Sequence, residues 1–217
     1  MKSLLFALIS LSAMLSAQDF ANFGRYTQQN QDLISQNVVP NSVFMGDSIT
    51  EGWFSTDPEF FTKNNFVGRG IGGQVTSQML LRFREDVIKL KPKRVIILAG
   101  TNDIAENQGP ISFDKVFGNI VSMAELAKAN HIKVVLCSVL PAYDFPWRKD
   151  MKPADKVIAL NKMIKDYAQK NNITYVDYHN ALKNEKNGLP KEIAEDGIHP
   201  NKSGYEKMEA ILMKTLK

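Results

Sequence analysis

The chain has 217 residues, 44% of them apolar and 23% charged, a balance that excludes an unfolded polyelectrolyte and suits a soluble globular protein. The formal net charge of +4 spreads over interleaved Lys and acidic residues, which excludes a basic face built for a nucleic-acid backbone. One cysteine, Cys137, excludes an internal disulfide, and no Cys/His spacing suggests a metal site or a cofactor.

Met1 to Ala17 begins with Lys2, continues through an apolar stretch from Leu4 to Leu15, and ends in Ser16-Ala17 before Gln18. This is the pattern of an export leader over residues 1–17, and it is shorter than the ~20 residues of a membrane span. Residues 18–217 are then expected to form a single exported domain, periplasmic or secreted, without stable membrane insertion.

Ser42-Val-Phe-Met45 is a short apolar strand that breaks at Gly46. Gly46-Asp47-Ser48-Ile49-Thr50 follows, where Ser48 is either the N-cap of a helix or a hydroxyl presented on a turn. Asn65-Phe-Val67 is a weaker strand running into Gly68-Arg-Gly-Ile-Gly-Gly73, whose glycines can expose N–H groups to an oxyanion. Thr76 to Lys89 sets Met79, Leu80, Phe83, Val87 and Leu90 at helical spacing. The basic cluster Lys89 to Arg94 reads as a solvated turn before the next strand.

Arg94 to Ala99 is a β-branched strand ending in Gly100-Thr-Asn102-Asp103, where Asn102 offers a side-chain amide donor. Phe113 to Ala129 is an amphipathic helix, followed by a strand over Lys133 to Val139 that holds Cys137 as a structural thiol. The loop Pro141-Ala-Tyr143-Asp-Phe145-Pro-Trp147-Arg148 is either a sugar-stacking wall or the packing of a long loop. A helix over Pro153 to Lys170 and a last strand over Ile173 to Val176 precede Asp196-Gly-Ile-His199-Pro200 and a closing helix, Ser203 to Leu216.

Continuous apolar strands alternating with amphipathic helices imply an α/β fold, with a mostly parallel central sheet covered on both faces. Sites in such sheets lie beyond the carboxyl ends of the strands. The loops starting at Gly46, Gly68, Gly100 and Pro141 are therefore expected on one edge. There, Asp196 three residues before His199 can orient the imidazole, which is suited to general-base work near neutrality.

Two other readings compete. Gly68-x-Gly70-x-x-Gly73 fits the dinucleotide fingerprint, but no strand ending in an acid follows about 20 residues on. Asp177 and His179, at the end of the last strand, form a fallback dyad. His131 reads as a loop residue.

Taken together, the four blocks resemble the SGNH hydrolases, also called GDSL esterases, from about Val43 to the C-terminus. Gly46-Asp47-Ser48 matches the nucleophile block, with Ile49 where the named motif has Leu. Ile71-Gly-Gly73-Gln-Val-Thr76 looks like the glycine block, Gly100-Thr-Asn102-Asp103 the asparagine block, and Asp196-Gly-Ile-His199-Pro200 the final block. The resemblance implies a three-layer α/β/α sandwich of flavodoxin-like build. It implies a catalytic triad of Ser48, Asp196 and His199, and an oxyanion hole from the N–H groups of Ser48 and Gly73 and the amide of Asn102. It also implies a serine esterase that needs no cofactor or metal, acting on a small-molecule or oligosaccharide ester, foremost an O-acetylated carbohydrate. Lysophospholipid, short-chain lipid ester or thioester hydrolysis are the alternatives, and a catalytically silent carbohydrate-binding module is the non-enzymatic one. Asp47, Trp53, Tyr143 and Trp147 are expected to contact substrate.

Overall fold

Val43, Met45, Val95, Ile97, Val134 and Leu136 alternate with Phe44, Ile96, Leu98, Val135 and Cys137, and both sets are buried. Strands apolar on both faces require cover on both. The computed structural model describes residues 19–217, and the leader expected over residues 1–17 lies outside them. In it these segments join an all-parallel five-stranded sheet: β1 (Ser42–Gly46), β2 (Phe66–Gly70), β3 (Arg94–Leu98), β4 (Lys133–Cys137) and β5 (Thr174–Val176). The strand order is β2-β1-β3-β4-β5. The odd-numbered residues of β1 and β3, with Val134 and Leu136, share a core with Met79 and Phe83 of the Thr76–Asp86 helix, Ile120 of the Phe113–Ala129 helix and Leu160 of the Ala154–Lys170 helix. On the other face, Phe44, Ile96 and Val135 pack with Trp53 of the Ser48–Thr56 helix, Phe61 of the Pro58–Lys63 helix and Met208 of the Lys202–Thr215 helix. The result is the expected three-layer sandwich.

Some bounds differ from expectation. The fourth strand stops at Cys137 because the Asn161 side chain takes over the backbone of Val139, accepting from its N–H at 2.7 Å and donating to its carbonyl at 3.0 Å. The second strand runs on to Gly70, so the glycine loop starts at Ile71 and not at Gly68. A side chain at Gly70 would sit 2.2 Å from the Glu51 nitrogen and 2.6 Å from the Asp47 carbonyl; only glycine lets β2 pass this close under the start of the Ser48–Thr56 helix. The Thr76 helix ends at Asp86, where Val87 leaves helical angles with φ −125°, and a 3-10 turn over Ile88–Leu90 completes the expected stretch.

One buried cation locks the carboxyl edge of the sheet. Arg82, with no exposed surface, donates to the carbonyls of Gly46 and Arg69, to Gln74 Oε1 and to Asp86 Oδ2. It therefore ties the ends of β1 and β2 to the glycine loop, and its charge is neutralised by Asp86 at 2.8 Å.

Candidate active site

The strand order reverses about β1 and β3, so a crevice opens at their carboxyl ends. Asp47, just past β1, is the N-cap of the Ser48–Thr56 helix, its Oδ1 accepting from the Ile49 N–H at 3.0 Å. The cap is therefore Asp47 and not Ser48, which leaves the Ser48 hydroxyl free at the first helical position.

Ser48 Oγ lies 2.9 Å from His199 Nε2, across 151 positions of sequence. His199 Nδ1 lies 2.6 Å from Asp196 Oδ2. The other oxygen of Asp196 accepts from the N–H groups of Ile198 at 2.9 Å and His199 at 2.8 Å, in a turn that passes through Gly197 at φ +78°. With Nδ1–H donating to the carboxylate, Nε2 is the nitrogen left to accept the serine proton. Burial alone would raise the Asp196 pKa, but the hydrogen bonds from the His199 ring and the two N–H groups outweigh it and hold the carboxyl below its usual range. The His loop is joined to the Ser48 helix by Tyr205, whose hydroxyl donates to the Ile49 carbonyl at 2.8 Å.

Three candidate donors stand at the same edge. The Ser48 N–H heads its helix, where no intrahelical acceptor exists. The Gly73 N–H has no acceptor among the described residues, and its φ of +75° is a glycine conformation. Asn102, 4% exposed, donates one amide hydrogen to the Gln74 carbonyl at 3.1 Å. Asp103 fixes this geometry from behind by accepting from the Thr76 N–H at 2.9 Å and the Thr76 hydroxyl at 2.6 Å. Burial pushes the Asp103 pKa up, and the Thr76 bonds oppose it.

Sequence reasoning missed Glu51. One carboxylate oxygen accepts from the Gly72 N–H at 2.8 Å and the other from Arg25 at 2.9 Å, so Glu51 steadies the glycine loop from the Ser48 helix. The available signal was its position three residues after Ser48, on the same helix face.

Two of the four expected substrate contacts are corrected. Trp53 is 1% exposed and stacked between Phe60 and Tyr205, with its indole N–H donating to Glu209 at 2.9 Å. Asp47 is buried beneath the nucleophile turn. Trp147 lies at the rim, 43% exposed, with its ring centroid 6.4 Å from that of His199. Tyr143, 57% exposed, lines a groove of about 920 Å³ that reaches Asp196 and Gly197. The fallback dyad does not form. His179 sits in a short helix, Tyr178–Leu182, and Asp177 caps that helix through the Asn180 N–H. His131 turns the chain at φ +60° on the surface, and the buried Cys137 thiol is pushed up by desolvation, which makes it inert.

A parallel-sheet sandwich with a serine, an imidazole and a carboxylate aligned at its switch point is the architecture of a serine ester hydrolase. The chain belongs to the GDSL-like Lipase/Acylhydrolase family, whose model matches residues 44–207. A GDSL-like lipase from Bacteroides thetaiotaomicron, solved by crystallography, is 49% identical; the match covers 91% of this chain and 98% of that one at a TM-score of 0.86. A multidomain esterase from Ruminococcus flavefaciens is 27% identical over 203 residues, 91% of this chain and 24% of that protein. An acetylxylan esterase from Xylanibacter ruminicola is 26% identical over 152 residues, 61% of this chain and 30% of that protein. The chain thus spans less than a third of the length of those two curated relatives.

Proposed function

We propose that the protein is an exported O-acetylesterase acting on acetylated carbohydrate, with Ser48 as nucleophile, His199 as base and Asp196 as the group that orients it. The observation that carries this reading is the continuous line from Ser48 Oγ through the His199 ring to Asp196, with spacings of 2.9 and 2.6 Å. His199 Nε2 takes the hydroxyl proton as Ser48 Oγ bonds to the ester carbonyl carbon. The resulting oxyanion sits among the N–H groups of Ser48 and Gly73 and the Asn102 amide. Collapse breaks the ester C–O bond, and His199 returns the proton to the leaving alcohol. Water, deprotonated by the same imidazole, then attacks the acyl-enzyme and releases the acid and the free serine.

The carbohydrate preference is supported by the acetylxylan esterase relative and by the open groove beside Asp196, with an exposed aromatic on its wall. Aromatic faces suit sugar rings. The test compares p-nitrophenyl acetate with p-nitrophenyl octanoate, using wild type and Ser48→Ala. Turnover of the acetate ester that vanishes in the variant is expected. Preference for octanoate would redirect the reading to lipid esters, and activity surviving in the variant would remove Ser48 from its role.

A further inference from the structure

Asn102 is an amide, and an amide flipped by half a turn would present an oxygen where the proposed oxyanion hole needs a donor. What prevents the flip lies outside the family blocks. The Asn102 backbone carbonyl accepts from the Asn107 N–H at 3.0 Å, and Asn102 Oδ1 accepts from Asn107 Nδ2 at 2.7 Å. Asn107 Oδ1 in turn accepts from the indole N–H of Trp147 at 3.0 Å. An indole N–H can only donate, so Asn107 must present its oxygen to Trp147 and its amide to Asn102. That leaves Asn102 presenting oxygen to Asn107 and nitrogen to the Gln74 carbonyl at 3.1 Å. The polarity of the whole chain is fixed from one end by a pure donor and from the other by a pure acceptor. Arg148 pins the aromatic loop to the same segment by donating to the Glu106 carbonyl at 2.8 Å.

We propose that Asn107 and Trp147 are positioning residues for the oxyanion donor Asn102, and that the exposed Trp147 rim is thereby coupled to transition-state stabilisation. The inference rests on the reading of Asn102 given above. Its signature is a split between kinetic constants, because an oxyanion donor acts in the transition state and not on the bound ester. Asn107→Asp keeps the shape of the side chain and its acceptor for Trp147, but sets an oxygen against Asn102 Oδ1. Trp147→Phe keeps the aromatic wall and removes the N–H.

The experiment measures kcat and KM for p-nitrophenyl acetate, with circular dichroism and Tm for each variant. Asn102→Ala is expected to lose about 10²–10³ in kcat. Asn107→Asp is expected to lose about tenfold or more in kcat, with KM within about twofold. Trp147→Phe is expected to lose a few-fold, and the double variant Asn107→Asp/Trp147→Phe to be no worse than Asn107→Asp alone, since both substitutions interrupt one chain. Wild-type kcat in a folded Asn107→Asp, while Asn102→Ala is crippled, would overturn the relay and leave the oxyanion hole standing. Losses that multiply in the double variant would also overturn it. Wild-type kcat in Asn102→Ala would instead overturn the reading of Asn102 and the relay with it.

Discussion

At Gly73 the structure separates conformational need from steric need. A side chain there would meet nothing within 4 Å, yet the backbone stands at φ +75°. Gly73→Ala is therefore expected to fold with a Tm only a few degrees lower, because the left-handed conformation costs roughly 1 kcal/mol. Its N–H is one of three proposed oxyanion donors, so relaxation of the angle should lower kcat by about 10–100-fold. Full kcat would take Gly73 out of the hole. Asp196→Asn makes a sharper test. The N–H bonds of Ile198 and His199 to Oδ1 survive, but an amide N–H now faces His199 Nδ1–H, which drives the ring to the wrong tautomer. A loss of about 10³–10⁴ in kcat, with the Tm little changed, is expected from steady-state kinetics and thermal melts. Ser48, Asp196 and His199 were legible in sequence because each sits in a short motif at a strand or helix boundary. The burial of Trp53 and Asp47 was not legible, since it depends on Phe60, Tyr205 and the helix start above them, which no local pattern encodes.

The central strands were legible for a physical reason: residues apolar on both faces have no other stable place than the middle of a covered sheet. The short helices Pro58–Lys63, Thr101–Ile104 and Tyr178–Leu182 were not, because helices of that length draw their stability from tertiary contacts and carry little periodicity. The same dependence on contacts distant in sequence appears at Arg82, an unremarkable basic residue on a helix until the fold wraps it. Its four partners join two strand ends, the glycine loop and Asp86. Arg82→Met removes a donor from both strand-end carbonyls and leaves the buried Asp86 carboxylate without its countercharge, held among the described residues only by the Asn30 amide at 2.8 Å, which should cost about 3–5 kcal/mol. Urea unfolding of the variant would check it; a loss below about 1 kcal/mol would mean that water or a rearranged Gln74 replaces the guanidinium.

Over the whole molecule, the acids around the site pull stability in opposite directions with pH. Asp47 is fully buried, and Oδ2 has no hydrogen-bond partner among the described residues. Desolvation pushes its pKa up to about 6, against the pull of the Ile49 N–H and of the nearby His199. A raised folded-state pKa means that the native state holds this proton more tightly than the unfolded chain. The contribution to stability is therefore complete below the ordinary aspartate value of 3.8 and is lost as pH rises through about 6. Asp196 has a lowered pKa, so its contribution is present above the ordinary carboxylate range and is lost on acidification. Asp47→Asn isolates the first effect, because it keeps the acceptor for Ile49 and removes the titration. Relative to the variant, wild type should lose about 2–3 kcal/mol between pH 4 and pH 7, from the linkage of about 1.4 kcal/mol per pH unit. Urea titrations of both proteins at four pH values would check it; parallel curves would mean that Asp47 is solvated in the native state. The same substitution should also lower kcat, since the negative charge it removes lies close enough to His199 to stabilise the positive charge that develops on the ring in the transition state. Retaining an ionised, under-bonded carboxylate beside the proposed nucleophile is then a stability cost offset by catalysis. A variant that gains stability at pH 7 while losing turnover would carry both halves of that argument in one protein.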